Sequence, residues 1–172
     1  GTVLIGLGGG NISTNTRVGS DALSNNTVGS QNVAVGFETL QNNTIGNRNT
    51  AIGYQAGVNT TNTSNNVLIG FQAGFTSVSD FAVAIGSQSG QNSQGFNTIA
   101  IGRLAAENGQ LFGGVAIGFG AGRTDQGTYG ISIGRNAGLS NQGDNSIALG
   151  TEAGETGQNE DSISIGNSAG KQ

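Results

Sequence analysis

A nine-residue unit recurs in register along this chain: NTAIGYQAG at 49–57 is followed by NVLIGFQAG at 66–74. The glycine that follows the apolar triplet of each copy marks the period of the repeat, and we call it the ruler glycine. Between successive ruler glycines the first spacing is 13 residues, the next three are 17 and the last six are 16. These ruler glycines are Gly6, Gly19, Gly36, Gly53, Gly70, Gly86, Gly102, Gly118, Gly134, Gly150 and Gly166. A period this short excludes a βαβ unit, which needs roughly 30 residues.

The residues before each ruler glycine alternate between large and small side chains. β-Branched residues stand one and three places before it, as Val83 and Ile85 do before Gly86, and a small residue lies between them. Period-2 alternation is typical of a strand with two different faces, and equal spacing lets each strand pair with its equivalent one coil away. The sequence predicts an all-β fold: a β-solenoid, or parallel β-roll, with two short strands per 16–17-residue coil. Residues 1–172 are predicted to form a single array of about eleven coils.

The two faces of the strand lead to different expectations. We expect Val and Ile to stack inside the coil, where they are removed from water. The small column then lies on the opposite face and allows close approach of a second copy of the chain. Its alanines are the predicted contacts between chains: Ala34, Ala51, Ala84, Ala100, Ala116 and Ala148. The chain is therefore expected to be a homo-oligomer.

Composition excludes most chemistry. The chain has no His and no Cys, which removes the commonest general base and the usual soft metal ligands, and 33 of its 172 residues are Gly. We expect no catalytic residue, no metal site and no cofactor. The net charge of −4 disfavours nucleic acid as a partner, and no apolar run is long enough for membrane insertion. Since there is also no Met, these residues are expected to be an excerpt or processed part of a longer fibre.

Several local patterns have a chemical and a structural interpretation. VAIGFGAG at 115–122 imitates a dinucleotide fingerprint, but the same slot recurs in every repeat, and its glycines are interpreted as turn residues. The ten carboxylates are scattered over different columns, which favours solvated surface over an acid/base pair. Five N-glycosylation triplets begin at Asn11, Asn25, Asn42, Asn59 and Asn62. A chain this rich in Asn and Thr also produces such triplets when none of them is modified.

Three aromatic residues follow successive ruler glycines: Phe37, Tyr54 and Phe71. An exposed aromatic ladder suits contact with a host receptor or glycan, whereas stacking within or between chains is the structural alternative. We take these three residues as the candidate contact surface.

The recurrent pattern N-[TSV]-[AVI]-[AIV]-G-x-x-[AS]-G resembles the head repeats of YadA-like trimeric autotransporter adhesins and the repeat-rich shafts of phage or virus tail fibres. The resemblance covers nearly the whole chain, although the period here is longer than is usual in the adhesins, and neither a coiled-coil stalk nor a membrane anchor is recognisable. It implies a left-handed, homotrimeric roll at a cell or virion surface. It also implies the Val83 and Ile85 pair as coil core, and Ala84 and Ala116 as contacts between chains.

The functional expectation is a non-enzymatic, extracellular fibre segment, a stiff spacer with a possible host-attachment surface. Two alternatives stay open: an extracellular filament built by end-to-end stacking of uncapped coils, and an ice-binding solenoid. Ice binding needs a regular Thr-x-Thr column, and only NTTNTS at 59–64 approaches one.

Overall fold

The computed structural model describes residues 5–171, which form an all-β rod, a parallel β-solenoid. Sixteen short strands are joined by turns, with one turn of 3-10 helix at Gly9–Asn11 near the start. In chain order the strands are β1 Ile5–Gly6, β2 Thr16–Val18, β3 Val33–Val35, β4 Thr50–Ile52, β5 Val67–Ile69, β6 Thr76–Val78, β7 Val83–Ile85, β8 Asn92–Gln94, β9 Ile99–Ile101, β10 Asn108–Gln110, β11 Val115–Ile117, β12 Thr124–Gln126, β13 Ile131–Ile133, β14 Ser140–Gln142, β15 Ile147–Leu149 and β16 Ile163–Ile165.

The apolar triplets form one eleven-stranded sheet along the rod. Its ten strands from β2 onward pair in parallel and in register, so that nine full coils lie between them. Nine steps of about 4.8 Å give a rod about 43 Å long. The prediction of eleven coils is wrong because β1 pairs with β2 in the antiparallel direction and does not start a coil.

A second sheet covers only part of the rod. It contains β6, β8, β10, β12 and β14, which belong to the 16-residue coils between residues 76 and 142. The prediction of two strands per coil is confirmed for these coils. The 17-residue coils before them have only one strand each, although backbone hydrogen bonds still join these coils on this side, such as that from the Asn42 N–H to the Val58 carbonyl at 3.0 Å.

The ruler glycine is required by the close stacking of coils. From Gly19 to Gly150, a Cβ atom at this position would lie 2.2–2.7 Å from the carbonyl oxygen of the next ruler glycine. Its φ of 120–138°, from Gly19 to Gly166, is also a conformation that only glycine adopts readily. Every coil therefore turns at the same place, and the columns of the repeat stay aligned along the rod.

The interior of the coil, here called the lumen, is lined by small side chains. Alanines of the strand column and of the turn column, such as Ala116 and Ala121, belong to the same buried clusters. The predicted contacts between chains are therefore wrong, because all six alanines are fully buried within a single chain: Ala34, Ala51, Ala84, Ala100, Ala116 and Ala148. Val83 and Ile85, predicted as coil core, are only half-buried and point outward.

The lumen is too narrow for the expected β-branched core. Leu68 is the largest fully buried residue in the strand column of the 17-residue coils, and it fills the space beside Gly57 and Gly74. A Cβ atom on Gly57 or Gly74 would lie 2.6–2.7 Å from a Leu68 methyl group. Two inward Val or Ile side chains in every coil would overfill this space.

Buried amides close the lumen and differ between the two halves. Asn15, Asn32, Asn49 and Asn66 each accept the backbone N–H one coil further on through Oδ1, at 2.8–3.1 Å. In the 16-residue coils, five glutamines instead donate from Nε2 to strand carbonyls at 2.9–3.1 Å; they are Gln94, Gln110, Gln126, Gln142 and Gln158. The step from 17 to 16 residues leaves the strand ladder intact, with Val67 opposite Val83.

Replacing a ruler glycine tests the stacking constraint. We expect Gly118→Ala to lower the free energy of unfolding by roughly 2 kcal/mol or more, because strain at positive φ adds to a 2.6 Å approach to the Gly134 carbonyl. Denaturant unfolding followed by circular dichroism measures it. In the matched control Gly166→Ala the nearest atom is 3.9 Å away, so only the backbone strain remains. Equal losses in the two variants would contradict the steric account.

The asparagine ladder is tested at its centre. Asn49→Ala removes a donor to the Thr63 carbonyl, 2.8 Å away, and an acceptor for the Asn66 N–H, 3.1 Å away. Two buried groups lose their partners, so we expect a loss of about 2–4 kcal/mol in unfolding free energy. Ser146→Ala, in the same column of a 16-residue coil, loses one bond to the Gly143 carbonyl and is expected to cost about 1 kcal/mol. A smaller effect at Asn49 than at Ser146 would refute a stabilising ladder.

Candidate functional site: the outer apolar surface

Large apolar side chains lie on the outside of this solenoid. The chain has seven Phe and two Tyr, and eight of these nine aromatic side chains are between 41% and 55% exposed. The fully buried side chains are instead Ala, Leu, Asn, Gln, Thr and Ser. An exposed apolar surface of this kind marks a site of interaction.

The first and third residues of the strands in the long sheet form what we call the outer Val/Ile face. From β3 onward it consists of Val33, Val35, Thr50, Ile52, Val67, Ile69, Val83, Ile85, Ile99, Ile101, Val115, Ile117, Ile131, Ile133, Ile147, Leu149, Ile163 and Ile165, all half-buried or exposed. A strip one three-residue strand wide, about 10 Å, and about 43 Å long covers roughly 430 Å². The largest apolar patch of a typical monomer is about 300–600 Å², and here aromatic residues add to it at both edges.

The first aromatic row is the predicted contact surface. Phe37, Tyr54 and Phe71 are exposed, as expected. Their ring centroids lie 5.5 and 5.4 Å apart, with planes inclined by 15° and 9°, so the rings stack along the rod. The ring faces are turned toward one another and the edges toward solvent. A flat ligand therefore has free ring faces only at the two ends of the stack, and contact with a receptor or glycan stays a prediction.

A second aromatic row lies at the opposite edge of the strands, in the C-terminal half. It consists of Phe81, Phe96, Phe112 and Tyr129, each two or three residues before a strand of the long sheet. Phe112 and Tyr129 meet edge to face, with centroids 5.4 Å apart. Sequence reasoning missed this row because its members are divided between two neighbouring columns, Phe81 and Tyr129 in one and Phe96 and Phe112 in the other. Reading both columns together would have found it.

Charged groups are spread thinly over the surface. Glu107 pairs with Arg123 at 2.5 Å, and Lys171 pairs with Glu152 at 3.0 Å and with Glu155 at 2.6 Å. Hydrogen bonding to Lys171 lowers the pKa of the Glu152 carboxyl. Within residues 5–171 no group of three or more Asp or Glu could hold a metal ion, and no pocket is present. Over the same range, no helix has the length and apolarity to cross a bilayer.

The turn interpretation of VAIGFGAG is confirmed. Gly120 and Gly122 have φ values of 63° and 51°, and the chain continues into β12 where a phosphate-binding site would need the start of a helix. Equivalent turns occur one coil before and one coil after, so this glycine run is an ordinary turn of the repeat.

Threonine and asparagine corners are bonded within the chain. Asn25 donates to Asn42, and Asn42 to Asn59, at 2.8 and 2.9 Å, so three of the five glycosylation triplets stack in one column. Thr60 in NTTNTS is buried and donates to the Gly57 carbonyl at 2.6 Å. This stretch therefore presents no flat Thr-x-Thr column.

Comparison with known proteins gives no match: no family model, no curated protein and no solved structure is similar to this chain.

The first aromatic row is expected to stabilise the fold. Tyr54→Ala removes a ring stacked between two others, and at about 0.5–1.5 kcal/mol per aromatic pair we expect a loss of about 1–3 kcal/mol. Phe81→Ala is the control, since Phe81 is similarly exposed and lies outside this stack. Chemical denaturation measures both variants. Equal losses would show that the stack contributes nothing beyond ordinary side-chain burial.

Proposed function

We propose that this chain is a non-enzymatic structural segment of an extracellular fibre, a surface adhesin or a virion tail fibre, that assembles with copies of itself side by side through the outer Val/Ile face. The observation that carries the proposal is the inverted distribution of side chains. Alanines, leucines and amides fill the lumen, whereas the Val and Ile side chains of the outer Val/Ile face and eight of the nine aromatic side chains stay at the surface of the single chain.

The magnitude of the exposed area supports self-association. Burying roughly 430 Å² on each partner at about 25 cal/mol per Å² contributes about 11 kcal/mol per face. Association costs an estimated 4–15 kcal/mol in lost freedom, so the Val/Ile strip alone is marginal. The aromatic rows at its edges supply the area that makes a stable assembly. A second copy is the occupant that matches this strip in length and in spacing along the whole rod.

The shape of the molecule fits a spacer. Each coil is bonded to the next by strands, turns and side-chain ladders, so the unit is stiff along its axis. The resemblance to adhesin heads and tail-fibre shafts supports a homotrimer and a location at the cell or virion surface. Phe37, Tyr54 and Phe71 remain the candidate contacts with a host receptor or glycan.

The proposal is tested by placing charge on the outer Val/Ile face. The double variant Ile85→Lys and Ile117→Lys replaces two outward side chains that lie two coils apart. Each replacement is expected to remove about 1.5–3 kcal/mol of burial free energy from the assembly. We expect a folded protein whose dissociation constant rises by a factor of about 100 to 10,000. Light scattering after size exclusion and circular dichroism measure mass and fold.

The matched control is Ala84→Lys with Ala116→Lys. These residues precede Ile85 and Ile117 in the same strands but are fully buried, so we expect unfolding. A wild-type chain that stays monomeric at micromolar concentration would refute side-by-side assembly. Unfolding of the Ile variants with tolerance of the Ala variants would refute the assignment of the faces.

A further inference from the structure

We propose that residues 5–11, together with Arg17, form an end cap that blocks end-to-end stacking of one rod on another. The inference goes beyond the proposed lateral assembly, because it concerns the other direction in which a solenoid can associate. A strand at the open end of a stack is a ready template for pairing with a further chain.

The cap begins with a strand that runs the wrong way. Ile5 lies opposite Val18 and Gly6 opposite Arg17, in the one antiparallel pairing of the described residues. The outer edge of β2 is thus occupied by a segment that cannot continue the parallel array. An arriving coil would have to displace it.

The three glycines after β1 then lie across the turn of the first coil. Gly9 donates its N–H to the Leu23 carbonyl at 2.8 Å and accepts from the Asn26 side chain at 3.3 Å. A Cβ atom on Gly9 would lie 2.4 Å from the Asn26 carbonyl oxygen, and one on Gly10 would lie 2.3 Å from that of Thr27. This approach resembles that between successive ruler glycines, so the segment covers the surface that a preceding coil would occupy.

Arg17 closes the lumen itself. It occupies the inward column, opposite Ala34, where the coils that follow place small residues or Leu68. Its Nη1 donates to the Ala22 carbonyl at 3.4 Å, and its Nε lies 3.3 Å from where a Gly6 Cβ would be. A coil stacked directly on this end would bury the guanidinium against alanine, which is costly for a charge without a carboxylate partner.

The cap also accounts for the irregular first spacing. The 13-residue spacing from Gly6 to Gly19 is shorter than a coil needs. The chain turns back over the end of the rod at Gly8, Gly9 and Gly10 and does not form a shortened coil. Axial growth at this end is blocked, which opposes the end-to-end filament and leaves the outer Val/Ile face for assembly.

The cap is tested by lifting it. In the variant Gly9→Val and Gly10→Val, with Arg17→Ala, the new side chains exclude the segment from the Asn26 and Thr27 carbonyls and the lumen loses its charge. Hydrogen exchange of residues 5–11 confirms release, and electron microscopy measures rod length. We expect rods at multiples of about 43 Å, whereas the wild-type chain shows one length. Rods of a single length despite released residues 5–11 would overturn the proposal.

Two further variants separate a lifted cap from damaged folding. Gly143→Val introduces a comparable clash, 2.4 Å from the Glu160 nitrogen, far from the cap, and is expected to destabilise without lengthening. Ile5→Cys with Val18→Cys, added to the cap variant, joins register partners. The oxidised form is expected to keep single rods and the reduced form to lengthen; lengthening in both forms, or in Gly143→Val, would overturn the proposal. The mass of the side-by-side assembly is measured separately by light scattering. Failure of the cap and failure of the proposed function are therefore distinguishable.

Discussion

The close stacking of identical coils is the constraint on which the rest of this structure depends. Backbone hydrogen bonds hold successive coils about 4.8 Å apart. At the corner of each coil the approach is so tight that, from Gly19 to Gly150, the carbonyl oxygen of the next ruler glycine lies only 2.2–2.7 Å from where a Cβ atom would be. Any residue other than glycine would separate the coils. The register of every column, and thus the long outer surface, follows from this contact.

Tight coils leave a thin lumen, and the thin lumen decides which residues are inside. Alanine fits everywhere, and Leu68 fits where glycines make room. Buried amides bond to the backbone, the asparagines to that of the next coil and the glutamines to a strand carbonyl of their own coil. The Val and Ile residues of the long sheet and eight of the nine aromatic residues are displaced to the surface. The single chain is therefore rich in internal hydrogen bonds and poor in buried apolar area. Covering the outer face supplies the burial that the lumen does not, which is why assembly and stability are linked in the proposed function.

The repeat could be predicted from the sequence because glycine spacing alone determines the register, and the parallel ladder follows it across the step at Gly70. The orientation of the faces could not, since period-2 alternation is the same whichever face is inside. Assigning Ile117 inward and Ala116 outward followed the general preference for burying large aliphatic residues, and the narrow lumen reverses that preference. The antiparallel β1 also escaped notice, because Ile5 and Gly6 match the columns of the repeat while pairing in the opposite direction. Phe37, Tyr54 and Phe71 were found because they share one column.

The inverted distribution of side chains is tested most directly by thiol labelling at adjacent positions, since the chain has no cysteine of its own. Ala116→Cys and Ile117→Cys are compared in samples diluted until the chain is monomeric. The account predicts that the thiol at 117 reacts at once, whereas the thiol at 116 is protected until denaturant unfolds the rod. Rapid reaction at 116 with protection at 117 would contradict it, because the alanine column would then be the outer surface.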